Sequence, residues 1–273
     1  MKFSVCNAVL RTMPIPAVFD LIAETGFDGV EIAPRTIASS LDEIGASHIK
    51  ACRQAVESAG LEVVGVHTIF GRDTQYHILQ PEPETRERTL KALIRAIELS
   101  GELGGHVVIF GSPWQRNVPE GMSHHEAIDV ASGLIGHADL LNALDTCEVT
   151  FCFEPLSEDQ TDFVNRAAKA VELVDRIDHP RVGMMLDGYS ISWEEDDLDT
   201  VIRTCGKRLR HFHADDETKR GPGQGTMGYR TIAASLDAID YEGWVSIEAH
   251  DHETDLVPLV DDWLEYLRRS WSE

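Results

Sequence analysis

The feature that most constrains this chain is an eightfold alternation of short β-branched runs with amphipathic helical stretches. The first strand is read at Lys2–Cys6, and the others at 27–32, 61–67, 106–110, 149–154, 181–187, 209–213 and 243–248. Between them, apolar residues recur at helical spacing, as at Leu90, Leu93, Ile94, Ile97 and Leu99 within a predicted helix over 84–103. The remaining helices are expected from Pro14 to Gly26 and over 41–59, 123–144, 163–177, 198–205, 229–239 and 256–269. Strands that alternate with helices build a parallel sheet. Eight such units in 273 residues fit one closed α/β barrel, a single (β/α)8 domain over 1–273, better than an open doubly wound sheet. No GxGxxG follows the first strand, which weakens a dinucleotide-binding alternative.

Charge and composition then exclude several classes of partner. The formal net charge is −23, so the chain offers no basic surface for nucleic acid and would be repelled by an anionic membrane. No apolar run is long enough to span a bilayer, and the first residues read as a strand, not a signal peptide. Five cysteines (Cys6, Cys52, Cys147, Cys152 and Cys205) lie without a CxxC, which fits reduced thiols and a cytoplasmic location. The bases are 18 Arg and only 6 Lys. With so many acids, this points to a halophilic protein whose self-repulsion is screened by salt.

In a barrel of this type the chemistry sits where the strands end. The fifth to eighth strands end in Glu154, Asp187, His213 and Glu248, at separations of 33, 26 and 35 residues, about one strand–helix unit each. That spacing delivers four ligands to one rim. Three carboxylates and an imidazole suit one hard or borderline divalent ion, Mn2+ first, with Mg2+, Co2+ or Zn2+ compatible. A single acid at a strand end is usually a cap or an ion-pair partner; four in register would repel without a cation among them. His67, ending the third strand, is expected to hydrogen-bond substrate, and Glu31 either faces the cavity or pairs with a cation in the barrel. His211, two residues before His213 and deeper, reads as a satisfied core histidine. After the fourth strand, Trp114 offers a surface for a sugar ring and Arg116 a fork for an anion. Asp73, His77, Glu158, Asn165 and His250 are weaker candidates. The glycine-rich stretch 221–225 reads as a turn that lets backbone approach the site.

Taken in order, these residues resemble the sugar isomerase/epimerase superfamily of xylose-isomerase-like barrels, and within it the ketose 3-epimerases. The segments that carry the resemblance are Glu154-Pro155-Leu156, Leu186-Asp187, His211-Phe212-His213-Ala214-Asp215-Asp216, Gly221-Pro222-Gly223-Gln224-Gly225 and Gly243-Trp244-Val245-Ser246-Ile247-Glu248. The resemblance implies that Glu154, Asp187, His213 and Glu248 bind the metal and that Glu154 and Glu248 move the proton as an acid/base pair. It also implies a small sugar or polyol-ketone substrate, and a homodimer or homotetramer. Two positions depart from the family pattern. Ser190 stands where the epimerases usually carry a His that touches substrate, and Lys219, followed by Arg220, stands where they carry an Arg. Lys lacks the bidentate fork of Arg, so Lys219 and Arg220 are expected to meet a substrate other than a free ketohexose. Proton transfer next to a carbonyl can end in epimerisation, isomerisation or, with loss of a β-hydroxyl, dehydration of an inosose- or dehydroshikimate-like ketone. A metal-dependent abasic-site endonuclease is opposed by the acidic charge. A non-catalytic sugar-binding barrel would not need both Glu154 and Glu248.

Overall fold

A computed structural model describes residues 1–10, 13–194, 197–249 and 256–272. Eight parallel strands, β1 (Lys2–Cys6), β2 (Gly29–Ile32), β3 (Glu62–Val66), β4 (Val107–Phe110), β5 (Thr150–Phe153), β6 (Val182–Asp187), β7 (Leu209–Ala214) and β8 (Trp244–Ile247), follow one another around a closed barrel. β8 pairs with β1, Ser246 opposite Ser4, and closes the ring. The helices are α1 (Ile15–Thr25), α2 (Ala46–Ala59), α3 (Pro83–Leu103), α4 (His124–Ile135), α5 (Ala138–Cys147), α6 (Ala167–Ile177), α7 (Gly188–Ile191), α8 (Leu198–Cys205), α9 (Tyr229–Asp237) and α10 (Val260–Ser272).

The period of two along each strand sorts the side chains into two populations. Val5, Val30, Val66, Val108, Phe153, Leu186, Phe212 and Ile247 pack in the large core between strands and helices. Their neighbours turn the other way. Val64, Val107, Ile109, Cys152 and Met185 form a second, smaller apolar cluster. β3 breaks the alternation, with Val64 in this cluster and Val63 and Val66 in the large core, where its register against β2 shifts by one residue. Ser4, Glu31, His211 and Ser246, on β1, β2, β7 and β8, are fully buried polar residues of that same inward parity. The barrel interior is therefore apolar on one side and polar on the other. The polar side leads up each strand to Cys6, His213 and Glu248.

The expected helix over 123–144 is two helices. Ser123 caps α4 through Glu126, and the chain breaks at Gly136, after which His137 caps α5. A Cβ at Gly136 would lie 2.7 Å from the Ser132 carbonyl oxygen, so the break uses space that only glycine leaves. The stretch 163–166 does not join α6; Val164 has a φ of +57°, outside helical backbone. The short α7, not expected from the sequence, follows directly on Asp187, which caps it through the Ser190 N–H.

Candidate active site

Glu154 follows the last residue of β5, Asp187 ends β6, His213 lies on β7, and Glu248 follows the last residue of β8. They share inward parity, and Asp187 pairs directly with His213 in the ladder. All four are buried, and each offers a ligand atom within 4.8 Å of the others'. The donor set fits a divalent cation. Burial, together with Asp187 and Glu248, pushes the Glu154 carboxyl up to about 8, as expected of a carboxyl crowded by like charge.

Behind the four lies a chain of contacts into the barrel. His213 Nδ1 is 2.8 Å from Glu248 Oε2, and its Nε2 is 3.1 Å from Glu31 Oε2. Glu31 Oε1 is in turn 2.6 Å from His211 Nε2. Burial alone would raise the Glu31 carboxyl, but His213 and His211 outweigh it and hold the group well below the usual carboxylate range. Burial alone would lower His213, but Glu31 and Glu248 hold it well above the usual imidazole range. A carboxylate that grips one ring nitrogen fixes the tautomer and direction of the other, the usual support for a metal-binding histidine. Glu31 thus pairs with imidazoles inside the barrel, and His211 contacts the same carboxylate.

Above the four opens a cleft of about 550 Å³, lined by Glu154, Asp187 and Glu248 at its floor. His67 lines it, with Nε2 3.5 Å from Glu248 Oε1 and Nδ1 3.1 Å from Thr68 Oγ1. Trp114 lines it from the loop after β4, half exposed, with the Arg72 guanidinium 5.3 Å from its ring centroid. Lys219 lines the opposite wall, with Nζ 3.4 Å from Asp159 Oδ2 and 4.2 Å from the Tyr189 ring centroid. Gln160 and Asp215 complete that wall. Asp215 accepts the Tyr189 N–H at 2.7 Å, and burial beside Asp187 raises its carboxyl well above the usual range. Ser190 lies beneath, buried, with its N–H on Asp187 Oδ1 at 2.8 Å.

Two expected substrate contacts are placed elsewhere. Arg116 is fully buried, and its guanidinium donates to the carbonyls of Glu154 (2.7 Å), Ser112 (3.3 Å) and Phe110 (3.3 Å). It also lies over the Phe153 ring at 4.6 Å. It holds the Glu154 backbone and does not reach a ligand in the cleft. Arg220 is exposed and does not line the cleft. The glycine-rich turn also serves another purpose. The N–H groups of Gln224 and Gly225 donate to Asp216 Oδ2, and a Cβ at Gly221 would fall 2.1 Å from the Trp263 ring. The turn folds onto the chain's own acid and onto α10.

Among the weaker candidates, Asp73 caps Gln75, the backbone N–H of His77 donates to Thr89, Glu158 pairs with Arg166, and the Asn165 amide holds the Leu156 and Thr161 carbonyls. None lines the cleft. His250 lies outside the described residues. Cleft residues with polar, thiol or aromatic side chains that were not named as candidates include Cys6, Thr68, Arg72, Gln160, Tyr189 and Asp215. For Asp215 a signal existed: it stands two residues beyond His213 on the same strand parity.

A closed parallel barrel with a buried Glu–Asp–His–Glu cluster at its C-terminal mouth, able to offer four ligand atoms to one cation, defines the class of α/β barrel to which the chain belongs. The chain belongs to the xylose isomerase-like TIM barrel family, whose model matches residues 19–270. It is 26% identical over 229 residues to a D-psicose 3-epimerase of Ruminiclostridium cellulolyticum, covering 83% of this chain and 75% of that one. It is 27% identical to a 3-dehydro-D-guloside 4-epimerase of Escherichia coli, covering 98% and 99%. The crystal structure of D-psicose 3-epimerase with D-tagatose from Clostridium cellulolyticum superposes with a TM-score of 0.86 over 99% of both chains, at 21% identity. No helix among the described residues is long and apolar enough to cross a membrane.

Proposed function

We propose that this chain is a metal-dependent epimerase of keto-sugars that works by proton abstraction next to a carbonyl. The observation that carries the reading is the convergence of Glu154 and Glu248, with Asp187 and His213, on the floor of one cleft. Glu154, Asp187, His213 and Glu248 would hold a divalent ion. When bound, that ion supplies electrophilic stabilisation of the negative charge that develops on the carbonyl oxygen. The chain's own residues do the rest. One of Glu154 and Glu248 removes the proton from the carbon beside the carbonyl, giving an enediolate. The other delivers a proton to the opposite face, and the configuration inverts. His67, beside Glu248, is set to hydrogen-bond the substrate oxygen nearest that base. Arg116 fixes the Glu154 backbone from below.

The relatives named above are epimerases, which supports inversion over the dehydration that the same chemistry allows. Product analysis tests the reading. Protein reloaded with Mn2+ is incubated with a panel of ketoses, keto-glycosides and inososes, and the products are resolved by NMR. Formation of an epimer of equal mass supports the proposal. A product one water lighter assigns the site to a lyase instead.

A further inference from the structure

The cleft is larger than its reacting floor requires. A single hexose sits at the small end of the roughly 300–1,000 Å³ that ligand pockets span, whereas this cleft offers about 550 Å³. Its outer half has a distinct character. On one side Trp114 is 51% exposed, with Arg72 packed over its ring. On the other, Tyr189, Lys219, Asp159 and Gln160 present an aromatic ring and a mixed set of donors and acceptors. Among the described residues the exposed large hydrophobic side chains are Met1, Trp114 and Trp193. Of these, Trp114 lines the cleft, and Trp193 lies behind its Tyr189, edge-on at 6.1 Å. Exposed aromatic surface concentrated at a cleft marks a binding site.

The geometry points to a subsite for a second, neutral sugar ring joined to the reacting keto-sugar, with Trp114 stacked on its C–H face and the Tyr189–Lys219–Asp159 wall meeting its hydroxyls. The substrate class is then a keto-glycoside, not a free ketose; this inference rests on the reading under Proposed function. An anionic group suits the position poorly. Lys219 already faces Asp159, three carboxylates line the floor, and the chain carries a net charge of −23.

The test compares a free 3-keto-hexose, its methyl glycoside and its glucosyl glycoside on the Mn2+-loaded protein. Solvent deuterium incorporation next to the carbonyl gives kcat/KM for each, and saturation-transfer NMR reports contact with the second ring. The glucosyl glycoside is expected to exceed the free sugar by about tenfold or more. Trp114→Ala should cut that ratio by about tenfold, mostly through KM, while Trp114→Phe keeps most of it. A ratio near one in the wild type, or an unchanged ratio in Trp114→Ala, overturns the subsite, as does a preference for a phosphorylated or carboxylated second ring. So does a Trp114→Ala variant that changes sedimentation but not the ratio, since the indole would then face a second copy of the chain. Equal exchange on all three substrates would leave the epimerase reading intact while removing the subsite. Trp114-dependent saturation transfer without exchange would sustain the subsite and sink the reaction.

Discussion

At the scale of single residues, the site is a set of carboxylates held close together and away from water. Burial, Asp187 and Glu248 all oppose the charge of Glu154 and push its carboxyl up to about 8. Below pH 8, a cation must displace a proton from Glu154 to bind. His213, held protonated by Glu31 and Glu248, adds to the release. Mn2+ affinity should therefore rise with pH, up to about tenfold per unit for each proton released, and level off above pH 8 for the Glu154 contribution. Calorimetry in buffers of different ionisation enthalpy reads the protons directly; a pH-independent affinity would contradict this. Glu31→Gln removes the charge that orients His213 and should weaken Mn2+ binding about 10–100-fold with the four ligands intact. Arg116→Ala removes the guanidinium donor from the Glu154 and Ser112 carbonyls in a closed site, while the Phe110 carbonyl keeps the Glu154 N–H, and should cost about 2–4 kcal/mol in denaturant unfolding. A loss below about 1 kcal/mol would mean the guanidinium is not the support described.

At the scale of elements, the ends of the strands decide what the site can do. A Cβ at Gly111, the residue after β4, would lie 1.7 Å from Glu154 Oε2. Gly111→Ala should thus displace that carboxylate and lower Mn2+ affinity by about tenfold or more, with unfolding changed by less than about 1 kcal/mol. Equal affinity in the variant would show that the carboxylate moves aside freely. This level was the most legible in the sequence. Alternation located all eight strands, and the residues at the ends of the fifth to eighth, spaced about one strand–helix unit apart, converge as Glu154, Asp187, His213 and Glu248 on one rim, because consecutive parallel strands of a barrel all end on the same face. Helix interiors were less legible: the break at Gly136 depends on the space beside Ser132, which no periodicity encodes. Arg116 was misread because a loop arginine after a catalytic-face strand looks like an anion fork. Only the fold reveals that the Glu154, Ser112 and Phe110 carbonyls enclose it. Tyr189 and Asp159 were silent for a related reason, since they meet Lys219 only across loops that follow three different strands.

At the scale of the whole molecule, a net charge of −23 on 273 residues makes self-repulsion a term in stability. Raising KCl from about 0.1 to 1 M shortens the screening length from about 10 to 3 Å. The melting temperature of the chain should rise over that range, and a fall would mean that screened ion pairs such as Arg208–Asp175 matter more than repulsion. In the proposed reaction Glu154 and Glu248 exchange a carbon-bound proton with solvent, which solvent deuterium incorporation reads out. The Mn2+-loaded protein in D2O, with a panel of ketoses and keto-glycosides, should place deuterium on the carbon beside the carbonyl. Adding EDTA should abolish the signal, and Glu248→Gln should reduce it by a factor on the order of 10²–10⁴ while still binding metal. Exchange that persists undiminished in Glu248→Gln, or is absent from every panel member despite tight Mn2+ binding, would contradict the account.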